Sequence, residues 1–550
     1  MWYKKSISKL VAESQQSGEG TLKRTLTSFA LISLGIGAII GAGLFVRTAA
    51  AAAQNAGPSV SIGFIIAALG CVFAGLCYAE LSSSIPVSGS AYTFTYATMG
   101  ELMAWIIGWD LVLEYSVAAA TVGIAWSEYL NNFLVDIVGV APVPYQWCHS
   151  PFQTLNLLAI AEPAHLESLK GILDENSISA LAQGRQVAIE PDTVAKLPAQ
   201  IAGLVDTSRG IMNVPALGIV TVMSLLLIRG TSESVLVNNL IVIVKVAIVV
   251  LVIALGWQFI DPVNHTPYIP EATVYVDHEG ISHRFGGIWG ILGAAGTVFF
   301  AFIGFDAVST AAQEAKNPKR TMPIGILGSL VICTVLYVLF AHVLTGLVDT
   351  EFFRDPSRGG EASIVAAIQA AMPGYEWLSK SITVAILAGF SSVILVMLLG
   401  QSRVFYSMSK DGLLPRAFSD VHPKYKTPWK GNLLILILVA AFAAFVPGNV
   451  VGHMTSIGTL FAFTLVCLAV IVLRKKEPNL KREFKTPFVP LVPILGILTY
   501  GAMIAGLGLE NWIRLFGWII IGLVIYFFYG RRHSVLRKEA EERNAQDNKQ

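Results

Sequence analysis

The sequence predicts an all-α integral membrane protein with twelve spanning helices, and two observations support that prediction. Of its 550 residues, 54% are hydrophobic and only 13% are charged, whereas soluble proteins carry about 25% charged residues. The mean hydropathy is accordingly high, at +0.64. The apolar residues also fall in blocks of about 20, which is the length of helix that crosses a bilayer. A soluble protein of this size could not bury that much apolar surface.

The apolar blocks predict spans 1 to 12 in chain order. Their ranges are 29–53, 59–82, 103–133, 212–228, 235–256, 288–312, 324–348, 382–402, 431–446, 454–473, 489–509 and 512–529. The first 27 residues are polar and basic, and they lack the apolar core of a signal peptide. We therefore expect span 1 to be retained as a helix of the folded protein.

The basic residues indicate how the chain is oriented. An even number of spans puts both termini on one side, and 27 of the 38 Lys and Arg residues fall on that side. Because Lys and Arg concentrate in cytoplasmic loops, we expect cytoplasmic termini and a place in the cytoplasmic (inner) membrane. We interpret the basic runs as orientation signals rather than as lipid or nucleic-acid sites. The net charge of +2 likewise indicates no nucleic-acid partner.

The connection 136–210 is long, and the predicted topology puts it outside the cell. Its amphipathic stretches at 164–172 and 178–182 suit a small cap, but loops of this length are either functional or disordered. Cys148 stands beside His149 without further metal ligands nearby in sequence, so we expect no metal site. The other four cysteines lie in apolar blocks, and we expect neither disulfides nor a cofactor.

Span 1 contains four glycines within nine residues, namely Gly35, Gly37, Gly41 and Gly43. Each costs a helix about 1 kcal/mol relative to alanine. Two explanations are open: small residues let helices pack closely, or the backbone unwinds where protein or a cavity satisfies it. The spacing and the position in mid-membrane rule out a nucleotide-binding glycine loop.

Span 6 favours the second explanation, because it too carries a glycine in mid-span, Gly304, close to a carboxylate, Asp306. A carboxylate is costly in hydrocarbon. Spans 1 and 6 each open a group of five, and interrupted helices at matching places indicate a transport site between inverted repeats. An unwound segment offers N–H groups to a carboxylate and C=O groups to an ammonium. This pair of groups suits a zwitterionic amino acid.

Lys245 is a charge in the middle of span 5, about ten residues from either end. That distance corresponds to roughly 15 Å of depth, which is too far for the side chain to reach the interface. Its charge requires a cage of carbonyls, a carboxylate partner or loss of the proton. A group that loses its proton here is a natural proton carrier, and we favour this role over that of a permanently charged substitute for a bound cation.

Other polar side chains lie within the spans. Asp110 and Glu114 share one face of span 3, and Glu114 acts either as a structural acceptor, which we favour, or as a second titrating group. Ser391 and Ser392 lie in span 8, where their hydroxyls serve a cation or an ammonium or bond their own helix. Arg47 is expected to reach the outer interface.

Three motifs resemble those of a known superfamily. The run 37–45, GAIIGAGLF, is similar to the helix 1 signature of the amino acid–polyamine–organocation superfamily. The runs 299–313, FFAFIGFDAVSTAAQ, and 401–415, QSRVFYSMSKDGLLP, resemble its cationic amino acid transporter branch, in its bacterial form. The resemblance extends from about residue 21 to residue 529. It departs in the long loop 136–210, in Ala42 where relatives carry Ser or Thr, and in Gln313 where many carry Glu.

The resemblance implies two inverted five-helix repeats, like those of the LeuT fold, followed by two further helices. The expected segments are an N-terminal segment 1–27, repeats 28–257 and 258–475, helices 11 and 12 within 476–530, and a tail 531–550. It also implies a substrate site in which amides of helix 1 hold the carboxylate, while carbonyls of helices 1 and 6 hold the ammonium. The residues implied for this site are Ile39, Ile40, Gly41, Ala42, Gly43, Phe300, Ala301 and Ile303.

The resemblance also assigns roles to single residues. Phe300 matches an aromatic residue that closes over substrate, Glu114 matches a helix 3 glutamate, and Lys245 matches a helix 5 lysine that replaces a sodium ion. The expected function is import of an amino acid together with a proton by alternating access, with no obligate protein partner. An amino acid exchanger, including one that exports a polyamine, and a transporter-like sensor are the alternatives. No phosphate loop, nucleophile elbow or zinc motif indicates an enzyme.

Overall fold

Apolar helices dominate the computed structural model of the chain. Among the described residues, eight helices are long and apolar enough to cross a bilayer. Four shorter apolar helices lie at predicted spans 1, 4, 9 and 11. The prediction of an all-α membrane protein is confirmed at this level, and the count of twelve spans remains a prediction.

The structure describes every residue except 1–3, 8–9, 11–23, 46, 159–162, 174–177, 179–180, 183–186, 190, 195, 277–281, 355–363, 507–508 and 548–550. The described helices are numbered in chain order. They are α1 Ser28–Ile39, α2 Ala42–Phe45, α3 Arg47–Ala51, α4 Val60–Ser84, α5 Ser90–Thr98, α6 Glu101–Val112, α7 Ala118–Phe133, α8 Pro163–Ser168, α9 Pro191–Val194, α10 Ala199–Ala202, α11 Val214–Arg229, α12 Thr231–Gly256, α13 Gly287–Phe299, α14 Ala307–Thr310, α15 Pro318–Leu347, α16 Thr350–Arg354, α17 Ile364–Ala371, α18 Glu376–Lys410, α19 Trp429–Phe445, α20 Gly448–Lys476, α21 Leu491–Gly506, α22 Leu509–Ile525, α23 Arg531–His533 and α24 Val535–Asp547.

Helix α18 is longer than hydropathy predicts. Hydropathy predicts that span 8 ends at residue 402, but α18 has 35 residues and continues to Lys410. The reason is that Arg403 is buried and its Nε lies 2.5 Å from Oε1 of the equally buried Glu314. Because this carboxylate neutralises the arginine, the helix continues inside the protein where its sequence becomes charged.

The loop 136–210 contains a small β-sheet that the sequence does not predict. Strand β1, Thr154–Leu158, pairs antiparallel with β2, Val187–Ile189, and with β3, Val205–Arg209. A separate apolar cluster lies within the same loop. Its buried members are Leu158, Leu169, Leu181, Ile189, Leu197 and Ile201. The loop therefore has a core of its own.

The two predicted amphipathic stretches of that loop have different outcomes. The stretch 164–172 contains most of helix α8, whereas residues 179 and 180 of the stretch 178–182 lie outside the described residues. A second loop, between α12 and α13, carries an antiparallel hairpin of β4, Thr273–Val276, and β5, Ser282–Phe285.

Three long helices surround the first helix of the bundle. Helix α1 packs against α12, α15 and α18, and α2 contacts the turn that follows α13. Helix α14 in turn contacts α1. The chain therefore brings two short interrupted segments together in the interior, between helices that are continuous.

Candidate functional site

The first helix is interrupted where its glycines predict. Helix α1 ends at Ile39, and Ile40 is extended, with φ −76° and ψ 101°. The chain becomes helical again at Ala42. Carbonyl groups in the last turn of a helix have no partners within it, so those of Gly37, Ile39 and Ile40 accept bonds from side chains instead.

The second interruption follows α13. A 3₁₀ turn covers Phe300–Phe302, Ile303 leaves helical conformation with ψ 137°, and helix returns at Ala307. Gly304 has φ 111°, which side chains with a Cβ rarely adopt. A Cβ there would also lie 2.9 Å from Ala38 Cβ. The glycine is therefore required both by its conformation and by the close approach of α1.

The two interruptions touch each other. A Cβ on Gly43 would lie 2.2 Å from Ala301 Cα, so the backbones of α2 and of the 3₁₀ turn are in direct contact. This places together the residues predicted for one site, namely Ile39, Ile40, Gly41, Gly43, Phe300, Ala301 and Ile303. Ala42 begins α2, and its side chain lies outside the described residues.

Lys245 lies in a cage of neutral oxygens. Its side chain is completely buried, and Nζ donates to Gly37 O at 3.0 Å, Ile40 O at 2.8 Å and Ser392 Oγ at 2.8 Å. An ammonium has three protons, so these three acceptors satisfy it completely. Of the solutions expected for this lysine, the structure presents the carbonyl cage, and it ties α12 directly to the interruption in helix 1.

The two adjacent serines of α18 have different partners. Ser392 Oγ accepts the bond from Lys245, and its single proton is shared between the backbone oxygens of Gly37 at 2.9 Å and Gly389 at 2.8 Å. Ser391 Oγ donates to Leu387 O at 2.8 Å, within its own helix. Only Ser392 therefore belongs to the cage.

Tyr337 on α15 joins the two interruptions, and sequence reasoning missed it. Its hydroxyl lies 2.8 Å from Ile39 O and 3.1 Å from Ala301 O, so one proton is shared between carbonyls of both segments. Its side chain is completely buried. A buried tyrosine usually has a hydrogen-bond partner for its hydroxyl, and that rule applied to a tyrosine in mid-span was the signal available in the sequence.

Replacing Tyr337 with phenylalanine is expected to lower the free energy of unfolding by about 1–3 kcal/mol, because both carbonyls lose their donor in a buried place. The measurement is thermal or denaturant unfolding of the purified protein in detergent. Tyr78→Phe is the matched control, since Tyr78 is equally buried and its hydroxyl, which faces the Ser90 side chain, bridges no backbone carbonyls among the described residues. Equal losses in the two variants would contradict the bridging role.

A group of buried acids lies next to the second interruption. Asp110, Glu114 and Asp306 are all completely buried. Tyr115 donates a short hydrogen bond to Asp306 Oδ2, while Glu114 and Asp306 interact electrostatically. In the described part of the chain, neither Glu114 oxygen makes a hydrogen bond of good geometry, although the side chains of Asp306 and Thr459 interact with it. Burial disfavours its charged form unless it is paired.

Phe300, at the second interruption, stacks with a cation from the first helical segment. The ring of Phe300 is half-buried, and the Arg47 guanidinium lies over it, with Cζ 5.8 Å from the ring centroid. Arg47 itself is exposed, in keeping with its predicted place at the interface. Cation and ring at this distance attract each other, so Phe300 is held between the site and an exposed cation.

Comparison with known proteins finds similarity to permeases and transporters. A family model described as amino acid permease matches residues 26–535. The branched-chain amino acid permease BcaP of Bacillus subtilis (strain 168) is 41% identical over 535 residues, covering 97% of this chain and 98% of the relative. The methylthioribose transporter of the same organism is 37% identical over 525 residues, covering 96% and 97%. The vacuolar cationic amino acid transporter 4 of Arabidopsis thaliana is 26% identical over 637 residues, covering 95% and 94%.

Proposed function

Because the chain belongs to the amino acid permease family of the amino acid–polyamine–organocation superfamily, we propose that it imports amino acids together with protons by alternating access. Family membership makes it a multi-pass membrane transporter of amino acids rather than an enzyme. The coupling to protons, the residues of the site and the direction of transport are what the proposal adds.

The paired interruption of two helices is the observation that carries the proposal. The N–H groups around Gly41, Ala42 and Gly43 begin a new helix and have no helical partners, which suits the substrate carboxylate. Carbonyls of Ile39 and Ala301, which Tyr337 bridges at 2.8 and 3.1 Å, suit the substrate ammonium. Backbone groups alone are thus able to bind both charges of a zwitterion.

A neutral, branched side chain is the substrate class we propose. Apolar residues border the interruptions, and Val393 Cγ2 would be 2.7 Å from a Cβ on Gly41. The relative that is 41% identical is named a branched-chain amino acid permease. Phe300, half-buried beneath Arg47, is proposed to close over the bound side chain.

Lys245 is proposed to couple the proton to closure of the site. Charged, it holds Gly37 O and Ile40 O in the unwound segment; without its proton it provides fewer donors and releases that segment. Glu114 and Asp306 are proposed as supporting groups next to the second interruption. The competing hypothesis is a lysine that stays charged and acts as a fixed cation.

The proposal includes the arrangement of the whole chain. The eight long helices and four shorter ones are proposed as twelve spans, in repeats 28–257 and 258–475, followed by two helices within 476–530. Both termini are proposed to lie in the cytoplasm and the loop 136–210 outside, with the protein in the cytoplasmic membrane and no obligate protein partner.

Uptake into proteoliposomes tests the proposal. We expect labelled leucine, isoleucine and valine to accumulate above equilibrium only with an inward proton gradient, whereas lysine and methylthioribose are not concentrated. Methylthioribose is included because it lacks the carboxylate and the ammonium that the proposed site binds. One relative is also named as its transporter.

The same assay separates the alternatives. Exchange that continues without a gradient and requires an amino acid or polyamine inside would replace the symporter with an exchanger. Binding without accumulation would favour a sensor. Gradient-driven accumulation of methylthioribose alone would overturn the proposed substrate class.

A further inference from the structure

A concave surface lies where the last spanning helix, α22, gives way to the final helix, α24. It encloses about 430 Å³. Its lining consists of Phe527, Arg531, Arg532, Arg537, Lys538 and Glu541. Four of these side chains are cationic and one is anionic, so the concavity carries a net positive charge and calls for an anionic occupant.

Buried bonds fix the shape of this concavity. Ser534 breaks the helix, with φ −51° and ψ 121°, and donates a short hydrogen bond to the buried carboxylate of Glu101. Tyr526 donates to the other oxygen of Glu101 at 2.8 Å, and Val535 N donates to Asp411 O at 3.1 Å. The angle between α22 and α24 is therefore set by the protein interior rather than by the exposed cations.

Three of the four cations make no ion pair among the described residues, unlike several other basic residues of the chain. Elsewhere, the Glu80 carboxylate forms ion pairs with two arginines, Arg474 (Nη2 to Oε2, 2.7 Å) and Arg482 (Nε to Oε1, 3.2 Å). In the concavity, the one carboxylate, Glu541, pairs with Arg537, with Nε 3.8 Å from Oε1. Within the described residues, no ion pair involves the remaining three cations, Arg531, Arg532 and Lys538. Three like charges held close together repel one another until an anion joins them.

The position of the site identifies the anion. Phe527 and Phe528, in the π-helical turn that follows α22, are 40% and 71% exposed, and exposed apolar rings at the end of a spanning helix are placed to contact lipid. Arg531 follows Phe527 by four residues, at the end of the π-helical turn Tyr526–Gly530, so it lies about one turn further along the axis, and both residues line the concavity. The cations thus lie at the depth of phosphate groups, and basic clusters directly after a span attract anionic lipids.

We propose that this concavity, lined by Arg531, Arg532, Arg537 and Lys538, binds the phosphate headgroup of an anionic phospholipid in the adjoining leaflet. One guanidinium group binds two phosphate oxygens through two parallel hydrogen bonds. Phe527 contacts the glycerol end of the lipid. The charge of this segment also serves orientation, but orientation requires only the number of charges and not a preformed concavity.

Native mass spectrometry of the full-length protein, titrated with phosphatidylglycerol or with phosphatidylcholine of the same acyl chains, measures this binding independently of transport. We expect wild type to retain phosphatidylglycerol preferentially. The triple variant Arg531→Gln/Arg532→Gln/Lys538→Gln is expected to bind it at least about tenfold more weakly. The matched control, Arg320→Gln/Lys475→Gln/Lys485→Gln, removes the same charge from three other exposed cations and is expected to leave binding nearly unchanged.

A variant with the opposite expected effect distinguishes loss of binding from misfolding. Among the described residues of the lining, Glu541 is the one carboxylate, and Glu541→Gln is expected to tighten phosphatidylglycerol binding, which a folding defect would not do. Three results would overturn the proposal: no preference for phosphatidylglycerol in wild type, an equal loss in the control triple, or complete displacement of the lipid by millimolar inorganic phosphate. The last would mean a site for a free anion.

Discussion

Replacing Lys245 with alanine is expected to abolish proton-driven accumulation of amino acids. The Nζ holds Gly37 O, Ile40 O and Ser392 Oγ at 2.8–3.0 Å, and a hydrogen bond to a charged group contributes about 1.5–3 kcal/mol. Since about 1.4 kcal/mol corresponds to a factor of ten, the loss of three such bonds should lower uptake by at least about tenfold. The measurement is uptake into proteoliposomes with an inward proton gradient, normalised to reconstituted protein.

Two further variants, a control and a permanently charged substitute, are needed to interpret this result. Ser391→Ala is the matched control, because this neighbour of the cage bonds only within its own helix and should transport nearly as wild type does. Lys245→Arg keeps a permanent charge at the same place. If the arginine variant still concentrates substrate in a gradient-dependent way, the lysine is a fixed cation and the proton assignment fails. Concentrative uptake by the alanine variant would contradict both roles.

Gly43→Ala is expected to remove transport and to lower the thermal stability of the protein. The added Cβ would lie 2.2 Å from Ala301 Cα and 3.0 Å from Ala301 N. These are backbone atoms, which no side-chain rotation can move away. Overpacking of this kind costs about 1–3 kcal/mol, and here it forces apart the two interruptions that form the proposed site. Melting of the purified protein and uptake are the two measurements.

Gly296→Ala provides the control for that prediction. Gly296 lies on α13, the helix that leads to the second interruption, and a Cβ there meets no described atom within 4 Å. Alanine in an open helical position stabilises by about 0.5–1 kcal/mol relative to glycine. We therefore expect unchanged transport and an equal or higher melting temperature. If Gly43→Ala behaved in the same way, the close contact of α2 with the 3₁₀ turn would have no functional importance.

The interruptions were predictable because a carboxylate is costly in hydrocarbon. Asp306 beside Gly304 therefore stood out, and it gave weight to the glycines of 35–43, which close packing alone would also explain. Lys245 stood out for the same reason. In each case the sequence reveals the anomaly, whereas the partners that resolve it, such as Gly37 O and Ser392, depend on how α12, α1 and α18 meet in space.

Other features left weaker signals. Residues 391 and 392 are both serine, so the sequence does not distinguish them. The rotation of α18 about its own axis decides that Ser392, and not Ser391, faces Lys245. Arg403 ended the predicted span 8 because hydropathy cannot include a partner such as Glu314, 89 residues distant in the chain. The strands of loop 136–210 are three to five residues long, too short for alternation to be recognised.

The sheet in loop 136–210 has a consequence for how such a protein can acquire or lose parts in evolution. The first residue of β1 and the last of β3 are partners, Thr154 with Arg209, so the segment enters and leaves through one pair of adjacent strands. An insertion whose ends meet can be added to a host without separating the elements on either side. Because the segment also buries its own leucines and isoleucines, a single genetic event could graft or delete it while α7 and α11 keep their places.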